Sequence, residues 1–123
     1  MPSKKPGITL ELGYYGECTV LHVRGNLTRD TAPAMLLQSE IVSLKVDGSP
    51  QLVLDLEGVA AWDDDGVGAV IGAAKRVMTA GGRLLIAATP VDLRERFRRG
   101  RLDQRLEFRE TVEQAVNEFG GFR

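Results

Sequence analysis

Apolar residues fall on alternate positions at Ile8, Leu10 and Leu12, and return at Val20, Leu21 and Val23 beyond the glycine-bearing turn GYYGE. A period of two on either side of a short turn predicts a β-hairpin, residues 8–13 against 19–24. The period then lengthens. Leu36, Leu37, Ile41 and Leu44 form the stripe of a helix whose first turn suits Pro33, with Thr28 or Asp30 as its cap and DGSP as its stop. From 52 to 56, four of five positions are apolar, the pattern of a strand covered on both faces. Val67, Val70, Ile71, Ala74, Val77 and Met78 recur at threes and fours, so a second helix carries them on one face until Gly81 and Gly82 stop it. RLLIAAT reads as another buried strand. PVDLRERFRRG reads as a short helix opened by Pro90, with Val91, Leu93 and Phe97 turned inward. A brief strand at 106–108 and a last helix at 111–119, lined by Val112, Ala115, Val116 and Phe119, complete the series.

Strands alternating with helices after an opening hairpin predict one α/β domain over residues 1–123, with a mixed sheet and about four helices. Its core should run from 8 to 119, with the first seven and last four residues loose.

Composition narrows the function. At 43% hydrophobic and 27% charged, the chain is globular in character. A net charge of −1 and a sequence pI of about 5.8 give no general attraction to nucleic acid or anionic lipid. The single cysteine, Cys18, excludes an internal disulfide and a cysteine-rich metal site. No apolar run approaches the roughly 20 residues of a membrane span. MPSKKPG lacks the apolar segment of a signal peptide, so a cytoplasmic location is expected.

Few residues invite catalysis. His22, the lone histidine, lies within an expected strand and reads as structural; Cys18, at a strand start, reads as a small core residue. GVGAVIG lacks the Gly-Lys-Ser/Thr ending of a phosphate loop and does not follow a strand in the dinucleotide-binding order. The basic cluster of Arg94, Arg96, Arg98, Arg99, Arg101 and Arg105 is interleaved with Glu95 and Asp103, as on a solvated helix face. Trp62 reads as a lid over a helix–sheet junction.

Asp63, Asp64 and Asp65 demand an explanation. As ligands for a hard cation such as Mg²⁺, with Asp55 in support, they would make a phosphoacceptor or small hydrolase. Against this, consecutive side chains diverge, and no lysine follows RLLIAAT as a receiver-type phosphoacceptor requires. Capping accounts for one of them, Asp63 or Asp65, through free backbone N–H groups and the helix dipole, worth roughly 0.3–1 kcal/mol at exposed sites. Repulsion between neighbours leaves the other two unexplained.

The stretch LVLDLEGVAAWDDDGVGAVIGAAKRVMTAGGRLLIAATPVDLRERF resembles the core of the STAS domain, the fold of bacterial anti-sigma factor antagonists. Leu54-Asp55-Leu56, Trp62, Asp63, Gly66-Val67-Gly68, Gly81-Gly82 and Pro90-Val91 follow that family's order, and VLHVRGNLTRDTAPAM resembles its opening. The resemblance runs from about Ile8 to Phe119. It implies a transcription-regulating, protein-binding module without catalytic residues, cofactor or metal, whose partner is an anti-sigma factor or related regulator. Neither nucleic acid nor membrane is an expected partner, and any homo-oligomer should be weak. In the family, a kinase-type anti-sigma factor phosphorylates the serine after the first aspartate. Asp63 matches that aspartate, Asp64 the serine and Asp65 the following Ser/Thr.

Asp64 has no hydroxyl to phosphorylate. Phosphorylation adds about −1.5 to −2 charges; an aspartate supplies one permanently, at a helix N-terminus that tolerates anions. The site is therefore expected to be phosphomimetic-like or non-switchable, with two alternatives: a form that does not bind a kinase-type anti-sigma factor, or one that binds a different partner whose basic surface complements three carboxylates. The expected partner surface comprises Asp63, Asp64, Asp65, Gly66, Gly68, Ala69, Gly72 and Arg76. Gly68, Ala69, Gly72, Ala73, Arg76 and Thr79 are expected on the helix face turned away from the sheet.

Overall fold

The computed structural model describes residues 7–16, 18–44 and 50–120. Residues 47–49 of the DGSP stop, the termini at 1–6 and 121–123, and the Asp103 side chain lie outside the described residues. The two border glycines are hydrogen-bonded: the Gly7 carbonyl accepts from the Asn26 N–H at 2.6 Å, and the Gly120 N–H donates to the Asn117 carbonyl at 2.9 Å.

Strands β1 (Ile8–Tyr15) and β2 (Cys18–Leu27) form the antiparallel hairpin, longer than the alternation indicated. The extra length of β2 comes from residues 25–27, which pair with the far end of β3 (Gln51–Trp62) through two register shifts. Gly25 makes this bend possible. Its φ is 100°, and a Cβ there would collide with the Gly7 carbonyl. Strands β4 (Arg83–Ala87) and β5 (Phe108–Arg109) extend the sheet in parallel, giving the order β1-β2-β3-β4-β5. The last strand sits slightly later than the 106–108 expected from sequence.

A 3-10 turn, Arg29–Thr31, precedes helix α1 (Pro33–Ser43). That turn displaces the expected cap. Ala32, with φ 51°, occupies the N-cap of α1, and neither Thr28 nor Asp30 caps it; Thr28 bonds Asp30 instead. Pro33 stands in the first turn as expected. Helices α2 (Asp64–Thr79), α3 (Val91–Arg99) and α4 (Val112–Glu118) follow β3, β4 and β5.

Alternation sorts each buried strand between two cores. Leu21, Leu54 and Ile86 align across β2, β3 and β4 and pack beneath the first three helices with Leu37, Val70 and Phe97. Val20, Val53 and Leu85 face the other way, against Ala115 and Val116 of α4. Strands buried on both faces are why 52–56 is so apolar. Two inward assignments fail. Val91 is 86% exposed because it opens α3 beyond the sheet, and Met78 is 55% exposed at the rim of a cavity that it lines with Ala74 and Leu84. Among the described residues no helix is long and apolar enough to cross a membrane.

Candidate functional site at the mouth of α2

Strands β2 and β3 end together, Leu27 beside Trp62, and the Leu27 carbonyl accepts from the Asp63 N–H at 3.2 Å. This fixes the chain as it turns into α2. Asp63 is the N-cap, in extended geometry (φ −143°). Its Oδ1 accepts from the N–H groups of Asp65 at 3.0 Å and Gly66 at 3.2 Å, and its Oδ2 accepts from the Arg29 N–H at 2.8 Å. One carboxylate thus ties three backbone donors, including one from the turn before α1. The Arg29 N–H foremost, with those of Gly66 and Asp65, holds the Asp63 carboxyl below the usual carboxylate range, against a smaller opposing effect of burial.

Asp64 opens α2 with its side chain 83% exposed. The Arg96 Nη2 of α3 reaches its Oδ1 at 3.5 Å, a long contact between exposed groups. Asp65 is also exposed. Asp55, considered as a further ligand, stands midway along β3. There its Oδ2 meets His22 Nδ1 at 2.6 Å and its Oδ1 accepts from the Glu57 N–H at 2.9 Å. Among the described residues no three His, Cys, Asp or Glu side chains gather as a metal site needs.

Of the residues expected on the outer face of α2, Gly68, Gly72, Arg76 and Thr79 are exposed, and the last three line a groove of about 560 Å³ with Lys75 and Ala80. Ala69 and Ala73 are not. They are 1% and 4% exposed, because α1 packs along α2 and buries a second stripe beside the sheet-facing one. The sequence offers no sign of which flank a neighbouring helix will cover. Gly66 is also buried. A Cβ there would collide with the Leu27 carbonyl, so this glycine lets α2 start against the end of β2 and is not itself a contact surface.

Helix α3 was missed as a neighbour of the acidic turn. Trp62 packs on the core as a lid, and its Nε1 donates to Asp92 Oδ2 at 3.0 Å, which brings Arg96 within reach of Asp64. Elsewhere α3 behaves as a solvated basic helix: Arg98 and Arg99 pair with Glu95 at 3.2 and 4.0 Å.

A five-stranded mixed sheet with three helices on one face, one on the other, and an aspartate-capped helix opening at the third strand defines a small α/β scaffold. A family model of the STAS domain matches residues 10–115, and the chain belongs to that family. Three solved structures illustrate the likeness. An anti-sigma factor antagonist from Mycobacterium paratuberculosis is 20% identical, covers 95% of this chain and 97% of its own, and has a TM-score of 0.76. The Bacillus cell fate determinant SpoIIAA in its phosphorylated form is 20% identical, with coverage of 92% and 99% and a TM-score of 0.64. The murine anion transporter Slc26a9, inward-facing, is 18% identical; the match spans 84% of this chain and 18% of the transporter, at a TM-score of 0.70. The same fold serves different hosts, so function must be argued from the site.

Proposed function

We propose that the chain is a non-catalytic regulatory module that docks onto another protein through the mouth and outer face of α2, in the manner of an anti-sigma factor antagonist. In this reading Asp64 permanently carries the charge that relatives add and remove on a serine. The observation that carries the proposal is the division of labour at the turn: Asp63 is consumed by three backbone bonds, which leaves the Asp64 carboxylate 83% exposed at the first position of α2. No hydroxyl occurs from 63 to 66, so a serine kinase has no acceptor there. The partner surface is then Asp64 and Asp65 with Gly68, Gly72 and Arg76, resting on Asp63, Gly66 and Ala69 beneath. A complementary partner offers basic side chains to the two carboxylates and a close backbone approach to the two glycines. An anti-sigma factor or a related regulator fits that description.

Incubation with ATP and kinase-type anti-sigma factors, followed by affinity capture, tests this. The wild type should take no phosphate at 63–66 and its capture should not depend on ATP. Asp64→Ser should become phosphorylated and its capture ATP-dependent. Phosphate on any residue from 63 to 66 of the wild type, or equal partner capture by wild type and Asp64→Lys, would overturn the proposal.

A further inference from the structure

The two edges of the sheet are finished differently. At one, β5 is two residues long and set among charges: Glu107 and Arg109 pair with each other, Glu107 with Arg83, and Arg109 with Glu118. A short, charged edge offers little to another strand. At the other, β1 runs for eight residues, and among the described residues no strand lies beyond it. Its sequence ITLELGYY contains no proline and no lysine, and its register with β2 is unbroken, with no bulge to turn it aside.

Strand geometry fixes what that edge presents. The Gly7 carbonyl accepts from the Asn26 N–H, and the register continues without shift from Ile8 opposite Gly25 to Tyr15 opposite Cys18. Odd-numbered residues therefore exchange backbone hydrogen bonds with β2, while the N–H and C=O groups of Ile8, Leu10, Leu12 and Tyr14 point outward. The side chains of the same four residues share the face that the first three helices cover. Cover runs out along this line. Leu21 and Val23, opposite Leu12 and Leu10 on β2, are 0% and 1% exposed, whereas Ile8, Leu10 and Leu12 are only partly buried and Tyr14 is 68% exposed.

We propose that this edge pairs with β1 of a second copy of the chain, antiparallel about a two-fold axis normal to the sheet, so that two sheets become one. The occupant must be an extended segment whose outward backbone groups belong to residues with apolar side chains on the helix-covered face, and β1 is itself such a segment. The stretch before it, MPSKKPG, is a poorer match, since Pro2 and Pro6 have no N–H. Charge and cover set the register. Centred on Glu11, the pair would hold two carboxylates directly opposite, which is destabilising. Centred on Leu10, it would set Tyr14 opposite Pro6. Centred on Leu12, it lays Tyr14 over Leu10 of the second copy and places Glu11 opposite Gly13. An edge contact of this kind is small beside the roughly 1,200–2,000 Å² of stable complexes, so the dimer is weak, with Kd about 0.1 mM. Helix α2 packs mainly on α1, β4 and β3, so the dimer carries two open α2 mouths.

Sedimentation velocity on the full chain, from about 10 µM to about 1 mM, should show monomer giving way to dimer. Hydrogen exchange at the amides of Leu10, Leu12 and Tyr14 should slow over the same range. Tyr14→Lys adds a cation to each end of the paired segment on a side chain already in solvent, so it should weaken association about tenfold while Tm holds. Leu12→Cys should cross-link to itself under mild oxidation, because opposed residues of a hydrogen-bonded pair lie about 5.5 Å apart at Cα, within disulfide reach; Glu11→Cys should not. A chain still monomeric at the top of the concentration range overturns the inference, as does a Tyr14→Lys protein that associates as tightly as wild type. Cross-linking by Glu11→Cys in place of Leu12→Cys overturns it as well. So does protection of the three amides at every concentration, since another segment of the same chain would then cover the edge. None of these readouts depends on the mouth of α2, so the outcome is independent of the docking function proposed above.

Discussion

Three glycines of α2 look alike in the sequence and differ in the fold, which makes alanine substitution a sensitive probe of this site. At Gly68 and Gly72 an added Cβ meets nothing within 4 Å. Alanine there costs no contact and recovers helix propensity, about 1 kcal/mol at each position. Gly66 is the third residue of α2, where propensity counts for less, and its Cβ would strike the Leu27 carbonyl while lying 2.8 Å from the Leu27 Cβ. A carbonyl embedded between two paired strands cannot swing aside as a flexible side chain would. Forcing a methyl into such a space costs roughly 1–3 kcal/mol, and the shift would also loosen the Gly66 N–H from Asp63.

Gly68→Ala and Gly72→Ala should therefore stabilise by about 1 kcal/mol each, and Gly66→Ala should destabilise by about 1–2 kcal/mol. At this chain length those changes correspond to Tm shifts of roughly 3–6 °C per kcal/mol. Urea melts with unchanged slopes give the free energies directly. The same proteins tested for partner capture separate stability from function: the Gly68→Ala/Gly72→Ala double variant should be more stable and bind less well, because two methyl groups stand where a partner backbone approaches. A destabilised double variant, or a Gly66→Ala protein as stable as wild type, would refute the placement of these residues. Undiminished capture by a stabilised double variant would remove the glycines from the interface.

Glu118 lies between Arg83 and Arg109, whose guanidinium groups, Arg109 first, hold its pKa at about 2 against an ordinary 4.5. A depressed carboxylate stabilises fully above its unfolded pKa, so this contribution is complete above about pH 4.5 and is lost as pH falls toward 2. Thermal melts across that window should show Glu118→Gln less stable than wild type at neutral pH and converging with it in acid; parallel curves would contradict the pairing. Asp55→Ala should destabilise by about 2–4 kcal/mol, since it strips His22 of its buried partner and the Glu57 N–H of its acceptor. A urea midpoint near that of wild type would argue against the pair. Arg96→Ala should change stability by less than about 1 kcal/mol, as expected of an exposed pair, and should strengthen capture by a basic partner; weakened capture would show instead that Arg96 itself touches the partner.

Long, strongly periodic features were the legible ones. The apolar run in β3, the stripe of α2 and the Asp63 cap all depend on neighbours within a few positions, where local sequence carries the information. What escaped depends on contacts distant in sequence. Ala69 and Ala73 match Gly68 and Gly72 in size and spacing, and only the path of α1 decides which pair is buried. Thr28 and Asp30 are good caps by type, but the 3-10 turn that follows Thr28 and contains Asp30 is held by Thr31, whose hydroxyl is shared between the carbonyls of Asn26 and Thr28. Arg96 sits 32 positions from Asp64, and nothing in a run of arginines marks the one that will face the acidic turn.

The two contacts that brace the turn differ in kind, and the difference bears on what it presents to a partner. Asp63 is locked: three backbone donors converge on it, and neither partner exchange nor a change of salt near neutral pH should release it. Asp64 is only leaned upon, by a guanidinium 3.5 Å away with 36% of its side chain exposed, an interaction on the order of 0–1 kcal/mol that solvent screens. A partner cation that desolvates the same carboxylate gains more than Arg96 can withhold. The backbone at the helix mouth is thus rigid while its charge remains available. On the function proposed above, a serine in this position would make that charge depend on a kinase, and an aspartate carries it without one. On that same proposal, regulation would lie in the partner, in the abundance of the chain, or in a second site elsewhere on the fold.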